Sequence, residues 1–163
     1  VGQEGDTLVL ESIGRVQDRE ITVSYPKKTE FEEASVDVVA GTVNLDDNFY
    51  AKKLEVSVAA GEFTNDSTIT AEKAELTVGT GNIDLENLKV QNLEADCGIG
   101  NIDLGIDGKE KDYDYEISCA AGAIDIGDSS FSGLGHEKKI SNPGSSGKMT
   151  FDCGVGNITV DFE

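Results

Sequence analysis

Asp84, Asp103 and Asp125 occupy the same step of a recurring motif, two residues after Asn82, Asn101 and Ala123. If the motif is a strand, alternation turns all three away from a core, and on successive turns of a repeat they would stand about 5 Å apart. Carboxylates at that spacing repel one another, which raises a pKa or recruits a cation. They could also share acid and base work on a glycosidic bond. These three aspartates are therefore the candidates for binding a cation or another ligand. A soluble acidic repeat protein would show outward aspartates without any such role, so no catalytic residue, cofactor or firm metal ligand is assigned.

Other chemistries find less support. His136 is the one histidine and lies in a glycine-rich stretch, with no nucleophile at a matching repeat position. Cys97, Cys119 and Cys153 form no Cys-x-x-Cys pair. Each stands three residues before a repeat glycine, where Val38, Val58 and Val78 stand in earlier units. Cysteine in place of valine reads as a small buried hydrophobe, and a buried column of thiols should react poorly with alkylating agents. Arg15 and Arg19 are the only arginines, too few cations to hold a polyanionic substrate. Gly79-Thr80-Gly81-Asn82-Ile83 is not a nucleotide loop, since neither a lysine nor a helix follows it.

The elements that position these residues follow from the motif itself. Gly79-Thr-Gly-Asn-Ile-Asp-Leu85 returns as Cys97-Gly-Ile-Gly-Asn-Ile-Asp-Leu104 and as Cys153-Gly-Val-Gly-Asn-Ile-Thr-Val160. Aligned on Gly41, Gly61, Gly81, Gly100, Gly122 and Gly156, the units are spaced by 20, 20, 19, 22 and 34 residues. Such a period marks a solenoid, in which each unit buries its apolar face only against its neighbours. Around each glycine the apolar residues alternate, as in Val36, Val38, Val43 and Leu45, or Leu76, Val78, Ile83 and Leu85. That is a strand period. Each unit holds about three short strands, which predicts an all-β, single-domain, three-sided β-helix with coils of about 20 residues. The corner glycines are expected to take positive φ. Asn82, Asn101 and Asn157, one step later, are expected to stack as a ladder.

Along the chain, residues 1–34 keep the repeat poorly, although Thr7-Leu10 and Ile21-Tyr25 have strand composition. They read as a divergent first turn. Residues 35–126 carry the regular repeats, with a charged excursion at 108–112. Residues 127–147 form a Gly/Ser-rich insertion of loop composition in which Phe131 and Leu134 could fold back over the coil, and 148–163 is the terminal repeat.

With 32 acidic against 13 basic residues, the net charge of -19 repels phosphate backbones and anionic lipid, so nucleic acid and membrane contact by this segment are not expected. No apolar run is long enough to span a bilayer. The chain starts at Val1 with Met149 as its only methionine, so an upstream segment, able to carry a signal or an anchor, is expected to have been removed.

The segments 97–104, 120–126 and 153–162 together resemble the DUF4097 family, a domain of unknown function labelled as an adhesin by inference from its fold. The head domains of auto-transporter adhesins named for a Gly-Ile-Asn pattern are similar. The resemblance runs from about Ser35 onward. It implies a bacterial, extracytoplasmic, envelope-associated β-helix, tethered through an N-terminal segment outside this chain, and it brings no catalytic residues. The expectation is a non-enzymatic binding or sensing module whose partner is a surface ligand, a glycan or an envelope protein. Two alternatives stand beside it. One is a bactofilin-like structural protein that self-associates end to end through the strand at Ile158–Phe162. The other is a carbohydrate-active enzyme using the aspartate row.

Overall fold

The computed structural model describes residues 2–4, 7–9, 21–132 and 135–163. Among them the chain is all-β. Strands β1 (Gly2–Glu4) and β2 (Thr7–Val9) form a small antiparallel pair. Leu10, Arg15, Arg19 and Leu134 lie outside the described residues. Residues 21–26 are irregular rather than a strand, with Ile21 and Val23 exposed and paired with no strand among the described residues.

A twelve-stranded sheet then begins at Glu30, a few residues earlier than the repeat suggests. Its first half comprises β3 (Glu30–Val38), β4 (Thr42–Leu45), β5 (Phe49–Val58), β6 (Glu62–Val78), β7 (Asn82–Cys97) and β8 (Asn101–Ile106). A turn of 3-10 helix at Glu110–Asp112 leads to β9 (Tyr113–Cys119) and β10 (Ala123–Ile126). Strands β11 (Ser129–Ser132), β12 (His136–Ile140), β13 (Gly147–Cys153) and β14 (Asn157–Phe162) complete it.

In the first half paired residues stand in parallel 18 to 20 positions apart. Val38 stands opposite Val58, Val58 opposite Val78, and Val78 opposite Cys97. Past the glycine corner, Val43, Phe63, Ile83 and Ile102 line up likewise. Nearly all these side chains are buried, so the apolar positions form columns running through the stack. Within β6 the inward alternation breaks between Asn65 and Ile69, and again where Glu72 and Lys73 both face out before Ala74. Two outward residues in a row re-aim a strand, so these breaks are bends. Asn65 is buried in a column of leucines. Its amide donates to the Ser67 carbonyl and accepts from the Glu86 N–H at 3.1 Å, so it ties one bend to the next.

The second half is not stacked in chain order. Strand β13 lies between β7 and β9, with Phe151 opposite both Ala95 and Ile117. Strand β14 lies between β8 and β10, with Ile158 opposite both Ile102 and Ile124. The terminal repeat is thus inserted between the fourth and fifth units. Residues 107–112 make this possible. Asp107 still bonds to Leu88, but Gly108 bonds to Glu163, and the following turn lifts the chain past one vacant level, which the terminal repeat fills. The 22-residue interval supplies the extra length. The return path at 141–146 is held by Asp114, whose carboxylate accepts from the Asn142 N–H at 2.7 Å and the Ser145 hydroxyl at 2.8 Å.

The stretch expected to be a loop, 127–147, contains two strands. β11 and β12 pair antiparallel with β10 and β9 and cover the edges of the fifth unit. Phe131 folds back and is buried, with the Lys138 ammonium 4.8 Å from its ring centre. His136 accordingly starts a strand. At the opposite end, Tyr25, Phe31 and Phe49 close the first unit, with ring centres 5.1–6.0 Å apart.

The repeat glycines are required for a reason other than φ. Among them only Gly41 has a positive φ, of 131°. At Gly61, Gly81, Gly100, Gly156 and Gly122 a Cβ would overlap the carbonyl oxygen of the glycine one level below. The column runs 41, 61, 81, 100, 156, 122, which again places the terminal repeat before the fifth unit.

Candidate functional site

The side chains singled out from the sequence fall on two neighbouring strips. The first is the outer face of the ladder formed by β4, the start of β6, the start of β7, β8, β14 and β10. Asp84 stands opposite Asp103, as expected. Asp125 does not join them, because the inserted β14 places Thr159 opposite Asp103 on one side and Asp125 on the other. The expected row is therefore a pair, with the third carboxylate two levels away, about 10 Å by strand spacing.

Asp84 and Asp103 line a shallow open groove together with Asp66, Glu86, Asp161 and Glu163. No lysine, arginine or histidine occurs in 42–46, 62–67, 82–87, 101–106, 123–126 or 157–163, the segments that build this face and its rim. Among the described residues no ion pair reaches its carboxylates. The neighbouring ladder, built by β3, β5, the end of β6, the end of β7, β13 and β9, is different. There Lys53 lies within 4 Å of Glu33, Glu55 and Glu75, and Lys139 and Lys148 both hold Glu116. Those two ammonium groups pull the Glu116 carboxyl down to about 2. Among the described residues no three His, Cys, Asp or Glu side chains are grouped to hold a metal ion.

Beside the acidic face runs a column of amides. Asn101 donates to Asn82 at 3.2 Å and Asn157 donates to Asn101 at 3.1 Å, so the expected ladder forms, and the inserted repeat extends it. Each amide satisfies the next along the stack.

The second strip is the glycine corner, which motif reading treated only as a turn. Residues 39–40, 59–60, 79–80, 98–99, 154–155 and 120–121 stack there in register, joined by N–H to carbonyl bonds such as Ile99 to Gly79 and Val155 to Gly98, both 2.8 Å. All twelve are uncharged in a chain that is 28% charged. Val39, Ile99 and Val155 are 75%, 63% and 62% exposed, among the most exposed large apolar side chains in the described structure. The signal was present in the sequence as a run of small and apolar residues at each corner. It was masked because glycine and alanine there already had a structural explanation.

Just inside this corner the cysteines form one buried column in the order Cys97, Cys153, Cys119. The thiols of Cys97 and Cys153 donate to the carbonyls of Gly100 and Gly156 at 3.1 and 3.0 Å. Burial raises both, Cys153 to about 11, so neither is a ready nucleophile.

Fold and strips together define an acidic all-β repeat protein with parallel stacking. The DUF4097 family model, described as Toastrack, matches residues 3–159, and the chain belongs to that family. No curated protein and no solved structure shows significant similarity to it.

Proposed function

We propose that the chain is a non-enzymatic recognition module of the bacterial cell envelope, built as a three-sided β-helix, with its acidic face turned to a cationic ligand. The three sides are the segments between the glycine corner, the bend near residues 66–67 and the bend at 72–73, and both bends recur in β7, where the register shifts between Leu85 and Leu88 and Gln91 and Asn92 both face out. What supports a binding role is the contrast between two ladders of one stack. One carries lysines within reach of its glutamates, and the other carries carboxylates that no ion pair reaches among the described residues. An envelope location follows the family resemblance rather than the coordinates.

Titration with calcium and with oligolysine, at low and at 0.5 M salt, tests this reading. Saturable binding that weakens in an Asp84→Asn/Asp103→Asn variant and with salt is the expected result. Binding indifferent to both changes would remove the face from consideration. The alternative of a carbohydrate-active enzyme keeps only the Asp84–Asp103 pair, and hydrolysis of an envelope glycan abolished by Asp103→Asn would be its signature. The alternative of end-to-end assembly would have to use an edge other than Ile158–Val160, which pairs with β8 on one side and β10 on the other.

A further inference from the structure

We infer that the glycine corner is a docking ridge for a cationic amphipathic peptide segment, which lays its apolar side on Ile99 and Val155 and its basic side chains on the carboxylates along both flanks. This deepens the recognition reading above and rests on it, adding a second, apolar half to the contact.

Three observations carry the inference. The ridge is apolar in its backbone as well as its side chains. The N–H groups of residues 59, 79, 80, 98, 99, 154, 155, 120 and 121 all donate to carbonyls one level away, so few donors are left for water. The Thr80 hydroxyl turns back onto the Ala59 carbonyl at 2.9 Å. Burying such a strip costs little in broken hydrogen bonds.

Charge flanks the strip on both sides. On one side Asp96 stands opposite Asp152, one residue before the buried cysteines, and on the other Asp84 stands opposite Asp103 beyond the asparagine ladder. Glu94 and Asp152 stand close enough to Asp96 that, after burial, their charges raise its carboxyl, so three acidic side chains are grouped on that flank. An apolar line between two carboxylate lines matches a segment whose apolar stripe is bordered by lysine or arginine.

Dimensions agree as well. Six levels at strand spacing make a ridge of about 24 Å. That is the length of roughly 16 residues of α-helix. Glycine and alanine at most corners let a helix axis approach closely, while Ile99 and Val155 stand proud at the fourth and fifth of the six levels. A second copy of the chain fits poorly, because two molecules of charge -19 would face each other across the strip. An anionic bilayer is repelled by the same flanks.

The test uses a 16-residue peptide of lysine and leucine in amphipathic helical order, an oligolysine of equal charge, and the Lys/Leu peptide with lysine replaced by glutamate. Binding to the intact chain is followed by calorimetry, with sedimentation and neutral and anionic vesicles run in parallel. The Lys/Leu peptide should bind at least tenfold more tightly than oligolysine, and the glutamate peptide should not bind. The Ile99→Ser/Val155→Ser variant changes only exposed side chains, and it should erase the tenfold advantage while oligolysine binding stays unchanged. Equal binding of both cationic peptides, or an advantage that survives the double variant, overturns the ridge and leaves the acidic face standing. Absence of binding by either cationic peptide overturns the ridge, and the acidic face is then decided by the calcium titration. Dimerisation or vesicle binding lost on the same double substitution would assign the ridge to a different occupant and overturn the inference.

Discussion

Units one to four and the last two units are made of the same motif yet are assembled differently. In the first group successive units of the chain are stacked on one another, so every contact between them spans about 20 residues. In the second, the terminal repeat contacts the fourth unit across 56 residues, as at Cys97 and Cys153, and separates it from the fifth. Motif similarity sets which positions face inward and which corner carries glycine. It leaves open which unit lies next to which, because any two units present the same apolar columns and the same open hydrogen-bonding edge. Connector length decides that question.

The sharpest way to break this comparison is to remove residues 148–163. Stacking in chain order would leave 113–119 resting on 91–97 and 123–126 on 101–104, whereas the inserted order leaves the fifth unit without a parallel neighbour. Hydrogen exchange should show amides of 113–119 and 123–126 falling to unprotected rates while those of 50–58 and 73–78 stay slow. Protection retained in 113–126 would contradict the inserted order.

Next in size are substitutions in the glycine column. Gly156→Ala drives a methyl group into the Gly100 carbonyl at a level shared by two interfaces, and should cost at least ~1–3 kcal/mol, since backbone rather than a flexible side chain obstructs it. Gly61→Ala meets the same obstruction in the regular half, so denaturant unfolding of the two variants compares the halves directly. If either were neutral, close stacking would not be the reason for glycine.

The thiol column gives a smaller, pH-dependent effect. Cys153 is raised from 9.0 to about 11 in the fold, so the unfolded chain ionises first as pH rises. Its contribution to stability is complete below pH 9 and is lost between about 9 and 11. Cys153→Val should flatten unfolding free energy over that window, and alkylation of the intact chain should proceed only as fast as it opens.

Smallest is Glu116. Its folded pKa lies below the unfolded value of 4.5, at about 2, so whatever its pairing with Lys139 and Lys148 contributes is present above pH 4.5 and lost as pH falls toward 2. Glu116→Gln should remove part of the acid sensitivity in that range, read by circular dichroism against the unchanged acidic face. An identical acid titration would show that the pair contributes nothing measurable.

Much of this architecture was readable before any coordinates. Alternation at Leu76, Val78, Ile83 and Leu85 identified strands because one side of each strand is buried, and Cys97, Cys119 and Cys153 revealed their burial by replacing valine. The asparagine ladder was readable for the same reason. The order of units was not, although its trace existed in the interval of 22 between Gly100 and Gly122 and in the polar excursion at 108–112. Length alone does not say whether extra residues bulge outward or step over a level. The candidate site suffered the same loss, since Asp125 is next to Asp103 in motif order but next to Thr159 in space. The strand at β12 was hidden because Lys138 and Lys139 give an edge strand the composition of a loop, lysine being a usual protection for edges.

The inserted repeat also sets a timetable for synthesis. Units one to four can add to the growing stack as each leaves the ribosome, because every partner has already been made. The fifth unit emerges before the level that belongs beneath it, and must wait for residues 148–160 before it can settle. During that interval Ile124, Ile126 and the freshly made edge of β8 are exposed together, and their sequential pairing is an attractive wrong answer. Residues 107–112, too long for a single step, make that wrong answer slack, so the chain can be threaded late without having to undo a tight fit.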